Sequence, residues 1–430
     1  MRSPAALDDV AASILATGVT PAAAVAVTDP DGLVYANTYG PAAPDGLWNL
    51  GSIGKSFTAI VALQLAADGR LDLHAPLSDV LPWFRVRTDH GPITPHLLLC
   101  HTAGLVMGPE IGTASNYDVI ALAELPNGPP GAGFWYSNVG YRALGVAISH
   151  IAGKPYPELI AERIFEPLGM HSSSAAITND VRPSLVPGHD PPFDDRPWRP
   201  EHGLVTAAWV ESAEADGCIA CSLEDFATYA RMLLRRGEGL LDPASFELMT
   251  TAHSHDHEDD EDYGYALALT PTRYGHAGGV IGMHTRLWVE PASGVAAVAA
   301  VNGLDGSSHL ADAALAIGRG EDPAPYAPPP TEPALTDDGS AEPRLARLCG
   351  VYRSYNPWQT CIRVAAREGG LVLGWDGGYS ERYPLTETPD GSFRYGEDWS
   401  PERIWFDTEI DGRPQRALMS GMPMYRRFSP

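Results

Sequence analysis

The chain has 430 residues, 44% of them hydrophobic and 19% charged, a composition that suits a folded globular protein with one large and one smaller domain. Its 54 acidic side chains outnumber 29 basic ones, and the resulting formal charge of −25 argues against nucleic acid or an anionic membrane as the main partner. No stretch approaches the roughly 20 apolar residues of a membrane span, and no long apolar segment follows Met1 to Pro4, so a cytoplasmic address is expected.

Residues 5–16 read as an amphipathic helix closed by Gly18. A strand over 22–27 turns at Asp29-Pro30-Asp31-Gly32 into a second over 33–39. Helical spacing dominates from Ser52 to about Met170. Residues 172–209, rich in proline, aspartate and serine, are long for an idle connection and suggest a lid or a substrate-flanking excursion. Ser222-Leu223-Glu224-Asp225 is a helix N-cap signature. Strands return at 266–270, 285–289 and 295–301, and a helix follows to about Ile317. Strands at both ends with helices between them predict an α+β fold, in which the terminal segments share one antiparallel sheet flanked by helices beside an all-helical region. Residues 319–343, including Pro328-Pro329-Pro330, read as a linker. Beyond it, short apolar runs at 350–352, 362–364, 371–373, 403–406 and 416–419 alternate with turns, which predicts a small antiparallel β-barrel. The expected division is therefore 1–318, linker 319–343 and barrel 344–430.

Lysine is nearly absent, since only Lys55 and Lys154 occur and arginine carries the remaining basic charge. Lys55 closes Ser52-Ile53-Gly54-Lys55, where residues three apart on a helix bring their Cβ atoms within roughly 5–6 Å. A lysine that is desolvated or set near other cations can lose its proton and act as a base, which arginine does not do. Ile53, Phe57, Ile60, Val61 and Leu65 make this a buried helix with Ser52 at its start, where the helix dipole favours developing negative charge. Two more segments bear on Ser52. Tyr136-Ser137-Asn138 lies between the Gly/Pro-rich 129–133 and a helix running to Ile151, and His276-Ala277-Gly278-Gly279 lies between strands, where glycine would let a substrate approach the backbone. Taken singly, Tyr136 reads as a buried aromatic, Asn138 as a helix cap and His276 as a strand-edge histidine.

Five cysteines make no disulfide framework, and Cys218-Ile219-Ala220-Cys221 has no second pair to complete a zinc site, so it reads as structural. His253-Ser254-His255-Asp256-His257 admits a metal reading, but the acidic residues that follow favour a solvated loop, with the cleft nearby. No metal and no cofactor are expected.

In this order the motifs resemble those of the serine β-lactamase and penicillin-binding-protein superfamily, in its class C-like and D-aminopeptidase-like branch. Ser52-x-x-Lys55 matches the nucleophile motif, Tyr136-x-Asn138 the Y-x-N motif, and His276-Ala277-Gly278 the K-T-G or H-x-G position. His101-Thr102-Ala103-Gly104-Leu105 and Pro167-Leu168-Gly169-Met170 resemble the family's linking sequences, and the likeness covers roughly residues 5 to 318. It implies a β-lactamase/transpeptidase-like sheet and an acyl-enzyme mechanism. Ser52 would be acylated, Lys55 would activate it, and Tyr136 would pass a proton to the leaving group. Asn138, His276 and Gly278 would bind substrate, and the backbone N–H groups of Ser52 and Gly279 would form the oxyanion hole. His276 stands where β-lactamases commonly carry lysine, which points away from β-lactam hydrolysis and toward peptidases, esterases and acyl transferases. Gly350-x-Tyr352 and the strand spacing make the C-terminal segment resemble an appended lipocalin-like barrel. The expected activity is cleavage of an amide or ester in a small peptide or D-amino-acid-containing substrate. An acyltransferase or peptide cyclase, a slow-turnover sensor and a binding scaffold stay open, as does a homo-oligomer.

Overall fold

Six consecutive small residues, Ala-Ala-Val-Ala-Val-Thr, form a strand that is buried along its whole length, as a continuous apolar run requires when both faces of a sheet are covered. The computed structural model that shows this describes residues 5–86, 90–109, 114–125, 127–328, 333–375 and 382–428. Met1 to Pro4 and Pro329-Pro330 lie outside the described residues.

The main elements in chain order are α1 (Ala5–Ala16), β1 (Ala23–Thr28), β2 (Leu33–Tyr39), α2 (Gly54–Ala67), α3 (Asn138–Ala152), α4 (Leu223–Leu234), β3 (Ser254–Asp256), β4 (Glu261–Tyr263), β5 (Ala268–Leu269), β6 (Tyr274–Val280), β7 (Met283–Glu290), β8 (Val295–Val301) and α5 (Ser307–Arg319). Their strands form one antiparallel sheet in the order β2-β1-β8-β7-β6-β5-β4-β3, with Ala23 opposite Val301 and Thr28 opposite Ala296. Strand alternation divides the core. Ala23, Val25 and Val27 face α1 and α5, whereas Ala24 and Ala26 face the helical region that contains α2, α3 and α4. The terminal segments thus meet in the sheet as the α+β reading expects.

Two local expectations change. The strand expected over 266–270 shrinks to Ala268–Leu269, and the His276 run, read as lying between strands, is itself β6. Gly275, Gly278 and Gly279 deprive β6 of the apolar alternation that marks a strand.

The C-terminal segment closes as an eight-stranded antiparallel barrel: β9 (Gly350–Arg353), β10 (Cys361–Arg367), β11 (Gly370–Gly374), β12 (Arg382–Glu387), β13 (Phe393–Arg394), β14 (Arg403–Ile410), β15 (Arg413–Met419) and β16 (Met422–Arg426). Tyr352 pairs with Arg426 to join the ends, and Ile362, Val364, Leu371, Leu373, Ile404 and Met424 fill the interior. The excursion after Ser172 holds this barrel. Both arms of Arg353 reach Asp194 at 2.7 Å, and Arg427 reaches Asp195 at 2.5 Å. No helix among the described residues is long and apolar enough to cross a membrane.

Candidate active site

The turn carrying Ser52 is pinned on every side. Trp48–Asn49 pairs with Ala220–Cys221, the Leu50 N–H donates to the Ile219 carbonyl at 2.7 Å, and Thr285 Oγ1 donates to the Leu50 carbonyl at 2.8 Å. Gly51 has φ +55°, and a Cβ there would lie 2.7–2.9 Å from backbone atoms of Gly279, so position and conformation both demand glycine. Ser52 occupies a 3-10 turn (Gly51–Ile53), with α2 beginning at Gly54 rather than at the serine.

Lys55 is wholly buried and Ser52 is 8% exposed. Lys55 Nζ lies 3.1 Å from Ser52 Oγ and donates to the Asp216 carbonyl oxygen at 2.6 Å. Its nitrogen also sits 4.8 Å from the ring centre of Tyr136 and 5.6 Å from that of Tyr141. The carboxylate of Asp216 pairs with Arg142 Nε at 3.0 Å, and both side chains are completely buried. Arg142 lies one helical turn beyond Asn138 on α3 and also donates to the Ala114 carbonyl at 2.8 Å.

Tyr136 is clasped by His101. The His101 carbonyl accepts the Trp135 N–H at 2.7 Å, its Nδ1 accepts the Ser137 N–H at 3.0 Å, and its ring stacks on Tyr136 with centres 4.2 Å apart. An Nδ1 that accepts a hydrogen bond belongs to a neutral imidazole. Burial, with Lys55 and His276 nearby, holds His101 well below the usual histidine range. Ser137 caps α3, its Oγ accepting the Gly140 N–H at 3.1 Å. Asn138 follows it, fully buried, and its N–H donates to the Met107 carbonyl at 2.9 Å.

On the opposite wall, β5 pairs with β6 only at Tyr274 and Gly275, so β5 leaves the edge from His276 to Val280 uncovered beside the Ser52 turn. His276 Nδ1 contacts the Ala277 carbonyl, which places its proton there, and Nε2 accepts the Tyr263 hydroxyl at 2.9 Å. Burial, reinforced by Lys55, lowers its pKa to about 3, so the ring is neutral in ordinary buffers. Both ring nitrogens are engaged by the protein, and the ring centre is 6.3 Å from that of Tyr136. The bare side of Gly278 faces the Leu50 carbonyl and Thr285 rather than a substrate space, because a Cβ there would meet the Leu50 oxygen at 1.9 Å. Gly279 places its backbone nitrogen against Gly51, next to the serine.

The Beta-lactamase family model matches residues 7–320 of this chain. The chain belongs to the beta-lactamase family. Penicillin-binding protein 4 of Amycolatopsis lactamdurans is 28% identical over 310 residues, which are 65% of this chain and 78% of that protein. Esterase EstB of Burkholderia gladioli is 31% identical over 172 residues, 35% of this chain and 43% of the esterase, so the match spans less than half of that relative. Among solved structures, the octameric penicillin-binding protein homologue from Pyrococcus abyssi superposes with a TM-score of 0.68 at 23% identity, covering 99% of this chain and 100% of that one. A D-stereospecific amidohydrolase from Streptomyces sp. gives 0.60 at 24% identity over 73% of this chain and 98% of that one. At these identities the structures establish the fold.

In this beta-lactamase family member the barrel closes over the site. A cavity of about 710 Å³ lies between core and barrel, with Tyr136 in its lining. Trp358 covers Gly279, its ring 3.5 Å from where a Cβ would stand. Glu402, buried in the barrel wall, accepts the Met107 N–H at 2.6 Å, Trp135 Nε1–H at 3.1 Å and the Tyr395 hydroxyl at 3.0 Å, and also bonds Ser420. The acidic stretch is an exposed turn at 257–260, as expected of a solvated loop, joining edge strands β3 and β4, and residues 256–259 line the same cavity. Cys218 and Cys221 are buried and unpaired as disulfides, and burial pushes both thiols far up, which suits packing and not redox chemistry. Arg142, Asp216, Tyr263 and Glu402 carried no mark in the sequence, since each acts through a partner distant in the chain. His101 stood in a quoted motif, but nothing there revealed that it would clasp Tyr136.

Proposed function

We propose that the protein is a serine acyl-enzyme hydrolase of amides or esters, acting on a small peptide or a D-amino-acid-containing compound. The carrying observation is the 3.1 Å approach of Lys55 Nζ, itself wholly buried, to Ser52 Oγ. Burial works against the charged form of an amine, which is the condition a lysine base needs. In this reading Lys55 takes the hydroxyl proton as Ser52 Oγ bonds to the substrate carbonyl carbon, and the developing oxyanion lies at the N–H groups of Ser52 and Gly279. Donors of this kind typically contribute about 3–4 kcal/mol each to the transition state. Tyr136, adjoining Lys55, hands a proton to the departing amine or alkoxide as the scissile bond breaks, and Asn138 orients the substrate amide. Water then attacks the acyl-Ser52 ester to release the acid. His276 acts as a neutral wall of this site, and Gly278 lets β6 pack tightly enough to bring Gly279 to the serine. The unit acting in this way is residues 1–318, joined through 319–343 to the barrel at 344–430.

The peptide and D-residue preference is supported by relatives named penicillin-binding protein and D-stereospecific amidohydrolase, and ester cleavage by the relative named esterase. An octameric homologue supports assembly of several copies. The test is intact mass spectrometry after mixing with a panel of D- and L-residue amides, esters and β-lactams. An acyl adduct on wild type that is missing from Ser52→Ala supports the proposal, whereas full turnover by Ser52→Ala rejects it. Adding an amine acceptor to the same reaction distinguishes hydrolysis from acyl transfer.

A further inference from the structure

The cavity between core and barrel is lined by π surface and negative charge. Trp135, Trp358, Trp375 and Trp399 all contribute to its wall. The polar ends of four of these aromatic side chains, Trp135, Trp399, Tyr383 and Tyr395, are turned into the protein. Trp135 Nε1–H goes to Glu402 and Trp399 Nε1–H to the Phe134 carbonyl at 3.2 Å, while the hydroxyls of Tyr383 and Tyr395 go to Glu258 and Glu402, each at 3.0 Å. These rings therefore present faces and edges to the cavity rather than donors. Asp256, Glu258, Asp259, Glu397 and Glu402 supply carboxylates, and among the described lining residues there is neither lysine nor arginine. Asp256 shows the crowding, since burial raises its pKa and the neighbouring Asp259 and Glu258 push it the same way.

An anion entering this space meets no lysine or arginine among the described lining residues, and His276, at the position where a lysine would have supplied a charge, is neutral. A cation meets the favourable face of several aromatic rings, an attraction that grows as water is excluded, together with nearby carboxylates. Tyr136 and Trp358 connect the cavity to the chemistry, one beside Lys55 and the other over Gly279.

We infer, on the acyl-enzyme reading above, that this cavity is a subsite for a cationic group of the substrate, an alkyl- or arylammonium, carried next to the bond that Ser52 attacks. The test compares two para-nitrophenyl esters of equal shape: that of trimethylammonio-butanoate and that of its neutral carbon isostere, dimethylhexanoate. The cationic ester reacts with kcat/KM at least about tenfold higher, a difference of about 1.4 kcal/mol, and the double variant Glu258→Gln/Asp259→Asn narrows that ratio at least threefold. Equal reactivity of the two esters in wild type, with Ser52 still acylated, overturns the inference and leaves the hydrolase reading standing. A second measurement is independent of turnover. Phenyltrimethylammonium is titrated into Ser52→Ala with tryptophan fluorescence as the signal, and neutral tert-butylbenzene serves as control. Preferential binding of the cation supports the subsite even where no ester acylates Ser52, an outcome that rejects only the hydrolase reading. Absence of preferential binding overturns the subsite.

Discussion

Asp216 holds Lys55 by its main chain and Arg142 by its side chain: its carbonyl oxygen accepts Lys55 Nζ at 2.6 Å while its carboxylate pairs with Arg142 at 3.0 Å. The lysine is thus positioned by a buried ion pair it does not itself join. Arg142→Met leaves the Asp216 carboxylate buried without its cation, a change that typically costs about 3–5 kcal/mol. The expected result is a lower denaturant midpoint in urea. Arg142→Met/Asp216→Leu, which removes both charges, recovers most of that loss, and a double variant no more stable than the single would contradict this account.

Lys55→Arg keeps the positive charge and removes the base, because guanidinium does not give up its proton. Acylation of Ser52, followed by intact mass over time, falls by more than tenfold, or above ~1.4 kcal/mol in the barrier. Retention of more than a tenth of wild-type kcat/KM assigns the base elsewhere.

Tyr136→Phe preserves the stack on His101 and removes only the hydroxyl. Amide cleavage slows by roughly 10²–10⁴-fold, the span for a positioned proton-transfer group. Activated esters, whose leaving groups depart without a proton, lose less. Equal losses on both substrates remove Tyr136 from leaving-group protonation.

His276 sets a pH dependence of stability. Its folded pKa is lowered from the usual 6.5 to about 3, so between those values the unfolded chain binds a proton that the folded protein refuses. Stability is therefore complete above about pH 6.5 and declines as pH falls through the window, by up to about 1.4 kcal/mol per unit for one such group. His276→Gln retains an acceptor for Tyr263 and lacks this titration. Relative to wild type, it gains about 1.6 kcal/mol between pH 6.5 and pH 5. Parallel stability curves for the two proteins would show that His276 is charged in the fold.

Glu402 couples barrel to site, since the Met107 whose N–H it accepts gives its carbonyl to Asn138. Glu402→Leu strands the donors of Met107, Trp135, Tyr395 and Ser420, and each unsatisfied buried group costs about 1–3 kcal/mol. Calorimetry is expected to show a lower Tm, and kcat/KM on an amide substrate to fall with it. An unchanged kcat/KM in a destabilised variant would make the contact purely structural.

The chain displayed its beta-lactamase fold clearly where local pattern and structure coincide. The helix Ala5–Ala16 and the strands Leu33–Tyr39 and Val295–Val301 are readable because apolar spacing and turn residues mark both ends. Ser52 and Lys55 are readable because three residues of sequence fix their geometry. β6 was obscured by glycines whose purpose is close packing against the Ser52 turn and β7, a tertiary fact with no local signature. The barrel strands Arg382–Glu387, Phe393–Arg394 and Met422–Arg426 lack clean alternation because polar and aromatic residues serve contacts there. The segment holding His276 and Gly278 is legible in the sequence, but which way each faces depends on Tyr263 and Leu50, and strand pairing alone brings those near.

Scarcity of lysine has a practical consequence for handling the protein. Lys55 is sealed inside, so Lys154, whose side chain is 45% exposed, is the one lysine that an amine-directed reagent can reach. It follows the far end of α3, whose 15 residues begin at Asn138 and span roughly 22 Å at the helical rise. A dye or surface tether attached through Lys154 would therefore sit a full helix length from Asn138.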